Sequence, residues 1–389
     1  MKRREFIRNA ALAGMTVGMA QTSKPIPISQ KPEGKRQDSP LSRQDESDRS
    51  PERDPQKIHD STLIVSGLDV ATLNEAYIEM MKKGGVNCWH KSMGGIDSYA
   101  PVLNFCDAHR DDIVPARTVR EIKVLHTQGK ISLVFGSQSA DFLGSSLLNP
   151  MYGPPQSILR AYYELGLRIL GIAYNLANYF GAGNFEPKTG LSRAGKLLVE
   201  EIHKLRMILD VGGHTGEQTS LDALEISKGV PVICSHTNVA AIADNPRCTS
   251  DRVIEAIAKT GGVIGLTAVN DFHVRGKKDI NITHSPRIGI KEHIDQYDYL
   301  KKLVGVDHIG IGPDFVFGRG INYDLVNQSM AINREIISDG EWLYVKGFED
   351  ISKLPNVTKG LIDRGWSTGE IRKVLGENWL RVYKQVWGE

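Results

Sequence analysis

Six residues in this 389-residue chain have side chains that could act together in one reaction: Gln138, Tyr174, Asn175, His214, His236 and Asp314. Each follows a short aliphatic or β-branched run by two or three positions. His214 and His236 are the strongest pair, since neutral imidazoles at neighbouring strand ends can meet at one metal ion. Zinc takes three or four such N/O ligands at about 2.0–2.2 Å. An acid near the ion can then take a proton from a water whose pKa falls toward ~7. Asp314, in Gly310-Ile311-Gly312-Pro313-Asp314, stands where that acid would be. A lone histidine is more often a hydrogen-bonded core residue; two on consecutive strand ends, with an aspartate, favour a site.

The runs that position them are Thr62–Ser66, Val86–Trp89, Ser132–Phe135, Arg168–Ile172, Met207–Val211, Pro231–Cys234, Gly262–Leu266 and His308–Ile311. Amphipathic stretches with apolar spacings of three and four lie between them: 73–83, 119–128, 157–165, 194–205, 220–227, 251–259 and 290–304. Eight strands, each followed by a helix, predict an α/β fold of the (β/α)8 TIM-barrel type, in which chemistry sits at the carboxyl ends of the strands. The span 62–311 covers 250 residues, the usual size of such a barrel (about 250). A doubly wound open sheet is the runner-up, but no G-x-G-x-x-G follows the first run. Residues 370–386 read as a further amphipathic helix packed on the barrel wall.

Composition is that of a globular protein, 40% apolar and 24% charged, which excludes collagen-like, coiled-coil and wholly disordered chains. Cys88, Cys106, Cys234 and Cys248 form no C-x-x-C pair, against a zinc ribbon, redox dithiol or disulfide scaffold. A net charge of +2 gives no reason to expect nucleic acid as a partner. That charge is unevenly spread. Residues 1–57 hold 12 Lys/Arg against 8 Asp/Glu, leaving 36 against 38 for residues 58–389.

Three segments follow. Residues 1–20 resemble a twin-arginine export signal: Lys2-Arg3-Arg4-Glu5-Phe6-Ile7-Arg8, a weak apolar stretch from Ala10 and a cut after Ala20. That apolar stretch is too short to span a bilayer, and the expected location is periplasmic or extracellular. Residues 21–57, with three large apolar residues and six prolines, read as a disordered polar linker. Residues 58–389 form the barrel.

Several segments then carry a resemblance: Asp210-Val211-Gly212-Gly213-His214-Thr215, Pro231 through Asn238, Asn245-Pro246-Arg247-Cys248-Thr249-Ser250-Asp251, Gly261 through Gly265, and Gly305 through Phe315. With Leu165 to Asn175, Gly190 to Gly195 and Gly376 to Arg381 as weaker matches, the chain resembles the renal or membrane dipeptidase family of zinc peptidases. These are metal-dependent (β/α)8 amidohydrolases. The resemblance implies that His214 and His236 ligate one zinc, Arg247 clamps a substrate carboxylate and Asp314 is the base; Asn175, just past the fourth run, is expected to bind substrate.

The family pattern is broken at three places. Its first-strand His-x-Asp is Leu68-Asp69-Val70, its bridging glutamate is Gln138, and its fourth-strand histidine is Tyr174. A glycine is also inserted within Asp210–His214. A neutral amide is a poor bridge between dications, so one zinc is expected, with Gln138 as a weak oxygen ligand and the second site lost. Asp69, after a one-residue loop shift, and His90 are candidate replacement ligands; the alternative for His90 is a hydrogen-bonded rim residue. Tyr174 could donate to an oxyanion. His308 is expected to be structural at a strand start, His59, His109, His126, His203 and His284 to lie at the surface, and Asp271-Phe272-His273 in a rim loop. Tyr162, Tyr163 and Tyr179 need no cofactor.

Two functions are implied. One is an exported metallohydrolase cleaving a small dipeptide-like amide; the other is a barrel without dipeptidase activity that binds or matures a peptide-derived metabolite. A homodimer is the default for a soluble enzyme.

Overall fold

In the computed structural model, residues 54–148, 154–274, 286–317 and 344–389 are described. The expected signal and all but the end of the expected linker lie outside these residues, as does His284. The end of that linker is ordered: Asp54 caps the helix Pro55–Asp60, its side chain accepting from the Gln56 and Lys57 N–H groups.

Among the described residues there are nine strands: β1 Ile64–Asp69, β2 Val86–Ser92, β3 Ile113–Pro115, β4 Ile131–Ser137, β5 Leu167–Gly171, β6 Ile208–Asp210, β7 Cys234–Thr237, β8 Ile264–Leu266 and β9 Ile309–Ile311. All pair in parallel, in the order β1-β2-β4-β5-β6 and β7-β8-β9. The two sheets meet where Val211 N–H donates to Ile233 O (2.9 Å) and Ile233 N–H to Leu209 O (3.0 Å). Closure comes from Asp314 N–H to Leu68 O and Val70 N–H to Phe315 O, both 3.1 Å. Eight strands thus make the barrel, and β3 pairs with the start of β4 outside that circuit.

Two strand expectations change. β3 is three residues long and ends in proline, too short for a periodic signal. The expected strand Pro231–Cys234 is observed at Cys234–Thr237. Pro231 has no N–H to donate, and Ile233 spends both backbone groups on the β6 side. Ladder pairing with β8 therefore begins only at Cys234.

The helices lie close to their expected positions, with ends fixed by capping. Thr118 and Glu121 form a reciprocal capping box on Val119–Thr127, which satisfies two of the amides left free at a helix start. The C-terminal segment differs. Instead of one helix on the wall, Thr368–Arg372 passes through a π-helical turn into Asn378–Trp387. Trp379 then enters the barrel interior, where it shares a buried cluster with Val65, Cys88, Val134, Ile169, Ile208, Ile233 and Val263. It fits because glycines face it. A Cβ on Gly310 would lie 2.5 Å from Trp379 Nε1, and one on Gly67 would strike the same ring. Asn378 Nδ2 fixes the approach by donating to Val306 O and Ile309 O, both at 2.8 Å.

His59 corrects the surface assignment. It is buried, with Nδ1 2.7 Å from Thr358 Oγ1 and Nε2 2.9 Å from Gly84 O. Burial lowers its pKa. His308, the residue before β9, bonds Gly262 O (2.8 Å).

Candidate functional site

The chain leaving β6 turns at Gly213, whose φ of +68° favours glycine and whose missing side chain leaves room for His236 O and the Arg247 guanidinium. This turn carries His214 into the barrel mouth, while His236 lies within β7 itself. Both are buried, with ring centroids 5.0 Å apart.

Each imidazole is held from behind. His214 Nδ1 lies 2.6 Å from Asn175 Oδ1, and His236 Nδ1 lies 2.8 Å from Ser235 Oγ. An Nδ1–H donated to these oxygens leaves both Nε2 atoms with a free lone pair. The two lone pairs converge on the side-chain amide of Gln138, whose Nε2 is 3.2 Å from His214 Nε2 and 3.1 Å from His236 Nε2. Burial first, and then the Arg247 charge, lower both histidine pKa values well below the ordinary range. The pair is neutral at pH 7.

Tyr174 lies over this pair. Its half-exposed ring stacks on His214 with centroids 3.8 Å apart and planes 23° from parallel. Asn175, buried at a φ of +63°, stands behind His214, so this side-chain oxygen faces the histidine.

Opposite lie Arg247 and Asp314. Arg247 is 2% exposed, with its guanidinium carbon 4.9 Å from the centre of the Phe272 ring. Its Nη2 approaches Asp314 Oδ2 at 3.7 Å, longer than a hydrogen bond. Both terminal nitrogens are buried without a hydrogen-bond partner. Asp314 also has a positive φ, +63°. Its loop is clamped by Tyr344, whose hydroxyl accepts from Val316 N–H (3.0 Å) and donates to Asp314 O (3.2 Å).

Asp69 ends β1 but serves the wall. Its Oδ1 accepts from Phe315 N–H (2.8 Å), and Oδ2 from Ser66 Oγ (3.0 Å) and Tyr77 OH (2.9 Å). Burial pushes its pKa up to about 7 against these three donors. Its neighbours Leu68 and Val70 are buried apolar residues, so the β1 exit offers no ligand. His90 is buried, not on the rim. Its Nδ1 lies 2.5 Å from Gly67 O, its Nε2 has no hydrogen-bond partner, and its ring packs on Gly136.

The Asp271–Val274 segment is a buried helical turn, not a rim loop. His273 bonds Val269 O (2.8 Å) and meets His293 Nδ1 at 2.9 Å, with Asn238 Nδ2 at 3.2 Å. His293 escapes sequence reading because it occupies a helix, far from any strand end. Phe272 and Tyr344, which hold Arg247 and the Asp314 loop, carry no polar motif that would mark them.

Among the described residues no group of three or more His, Cys, Asp or Glu is placed to hold a metal ion. The two imidazoles are oriented as metal-binding histidines are, with Asn175 and Ser235 as their outer partners.

The family model for the membrane dipeptidases (peptidase family M19) matches residues 94–340 and 338–387. The chain belongs to the membrane dipeptidase family. That match begins after β1 and β2, beyond the segment Leu68-Asp69-Val70. Curated relatives of this family member include dipeptidase tcpJ of Claviceps purpurea (strain 20.1), 26% identical over 283 residues, and dipeptidase aclJ of Aspergillus oryzae, 27% identical over 281. The aligned parts cover 72% and 71% of this chain but only 57% of each relative. Among solved structures, an amidohydrolase from Pseudomonas aeruginosa superposes with a TM-score of 0.74 at 28% identity, covering 86% of this chain and 99% of that one. A metallopeptidase from Rhodobacter sphaeroides, liganded with a phosphinate mimic of the dipeptide L-Ala-D-Ala, shares the fold at a TM-score of 0.66 and 21% identity. It covers 84% of this chain and is itself covered completely (100%).

Proposed function

We propose that this membrane dipeptidase family member is an exported hydrolase of small dipeptide-like amides bearing a free carboxylate, working with a single zinc ion. The observation that carries the reading is Arg247: a buried guanidinium whose terminal nitrogens make no hydrogen bond and only a long ion pair with Asp314 (3.7 Å), in the barrel mouth that holds the histidine pair. Burying a guanidinium whose terminal nitrogens make no hydrogen bond carries a desolvation cost. A substrate carboxylate, taken up bidentately, removes that cost.

His214 and His236 would hold the ion once the Gln138 amide nitrogen has moved off their Nε2 atoms. Zinc bound there supplies Lewis acidity and makes a water acidic at neutral pH. Arg247 fixes one end of the substrate, so the scissile amide lies between Asp314 and the histidines. Asp314 takes the proton of the attacking water and returns it to the leaving amine. Tyr174, at the open edge over His214, donates its hydroxyl to the oxygen that gains charge. Asn175 keeps His214 in the required tautomer, a positioning role in place of a substrate contact.

Zinc content per chain and hydrolysis of a set of dipeptides test this. One equivalent of zinc, lost in His214→Ala and His236→Ala, together with hydrolysis that weakens through KM in Arg247→Ala, is the expected result. Neither zinc nor hydrolysis in zinc-replete protein sinks it.

One observation favours a second reading, that of a barrel binding a peptide-derived ligand without hydrolysing it: the Gln138 amide nitrogen already occupies the point shared by both imidazoles. Carboxylate binding without turnover or zinc is its signature. Export rests on the Arg3-Arg4 pattern; a double Lys variant at these positions would stay in the cytoplasm of the expressing cell. No helix among the described residues is long and apolar enough to cross a membrane. Light scattering would test the proposed homodimer.

A further inference from the structure

We infer that Gln138 is a latch on the histidine pair: its amide donates one N–H to each imidazole and so competes with a metal ion for both ligands. The inference rests on the reading of His214 and His236 as the ligands of one ion.

Donor and acceptor counting leads to it. Asn175 Oδ1 takes the His214 Nδ1–H (2.6 Å), and Ser235 Oγ takes that of His236 (2.8 Å). Both Nε2 atoms are then acceptors, and only a donor can satisfy them. A primary amide nitrogen has two N–H groups. Gln138 Nε2 sits 3.2 and 3.1 Å from the two acceptors, so one group serves each ring. The three side chains close on themselves, and no buried lone pair is left over at either Nε2.

The backbone under the latch is fixed. Ser137 Oγ donates to Ser139 O (2.9 Å), and Gly171 packs so closely on the Gln138 carbonyl that it has no room for a side chain. Only the Gln138 side chain is free to swing. An incoming dication must break two hydrogen bonds, and it gains neutral donors only. It also enters beside Arg247, whose charge both imidazoles already feel. Each of these lowers affinity. A carboxylate in place of the amide would act in the opposite sense: its oxygens cannot donate to the rings, and its charge draws the ion in.

The latch and the ligand interpretations of Gln138 part at one variant. If the amide is a latch, Gln138→Ala frees two lone pairs and zinc binds more tightly, by roughly one to two orders of magnitude for two lost hydrogen bonds. If the amide oxygen is a ligand, the same variant binds zinc more weakly. Gln138→Glu should bind at least about a hundredfold more tightly than the wild type, since it removes both hydrogen bonds and adds a charged ligand. Calorimetric titration of zinc into metal-free full-length protein measures all three. Weaker or unchanged binding by Gln138→Ala overturns the latch. Nitrogen-15 NMR of the metal-free wild type needs no variant: both imidazoles are expected as Nδ1–H tautomers, and an Nε2–H on either ring also overturns it. Failure of the hydrolase reading shows differently, as a wild type without dipeptide turnover whose Gln138 variants still follow this affinity order.

Discussion

Replacing Asp69 by asparagine should change how the stability of this barrel depends on pH. Asp69 is fully buried at the end of β1, and its pKa is pushed from 3.8 to about 7 by loss of water, partly offset by three hydrogen-bond donors. The folded state therefore binds a proton more tightly than the unfolded chain does. The contribution of that proton is complete below pH ~4 and is lost as pH rises toward 7. The interval from 3.8 to about 7, at ~1.4 kcal/mol per pH unit, sets the loss near ~4 kcal/mol. Asp69→Asn carries a permanently neutral group of the same shape and escapes the loss. Its amide oxygen can still accept from Phe315 N–H, although the amide nitrogen on the other side is a donor only, so the Ser66 and Tyr77 hydroxyls must both turn their hydrogens away and accept from it. Denaturant unfolding of both proteins at pH 4, 5, 6, 7 and 8 measures the effect. The unfolding free energy of the variant relative to wild type should rise by about 3–4 kcal/mol between pH 4 and 7 and then level off. A difference that stays constant with pH would show that Asp69 is ionised in the fold throughout, and the burial argument would be wrong.

Other perturbations have equally definite outcomes. Trp379→Ala leaves a cavity in the barrel interior and should cost about 3–5 kcal/mol. At ~2.1 cal/mol/K per residue over roughly 330 residues, that is a fall of about 4–7 °C in the calorimetric Tm. Gly213→Ala places a side chain against His236 O at a positive φ and should displace His214; loss of its ring-stacking shifts with Tyr174 by NMR would report it. Arg247→Ala leaves the buried Asp314 carboxylate without the guanidinium that stands 3.7 Å away and should destabilise the ligand-free protein in denaturant unfolding, while abolishing saturable binding of small carboxylates by calorimetry. Thr118→Ala removes half of a capping box and should cost about 0.5–2 kcal/mol in denaturant unfolding.

What can be read in advance follows from what local sequence encodes. Strand ends and amphipathic helices leave periodic patterns, so the eight-strand circuit and the places of His214, His236 and Asp314 at the barrel mouth are legible. Partnerships between distant residues leave none. Nothing around Asp69 announces that its carboxylate accepts from Phe315 N–H, and nothing around Gln138 tells whether its amide offers nitrogen or oxygen to the rings. His59 reads as a surface residue because its neighbours are polar; a helix far along the chain buries it through Thr358. The Pro231–Cys234 run has the right composition for a strand, yet the available hydrogen-bond partners shift β7 toward its C-terminal side.

The Trp379 plug has a consequence for the order in which this protein can be completed. Every strand of the barrel leaves the ribosome before the side chain that fills its centre, so a nascent chain holding all eight strands still has a hollow middle lined by Gly67, Gly265 and Gly310. The barrel cannot be finished from the front. It closes only once residue 379 is free to insert, which places the last step of folding after synthesis of every strand.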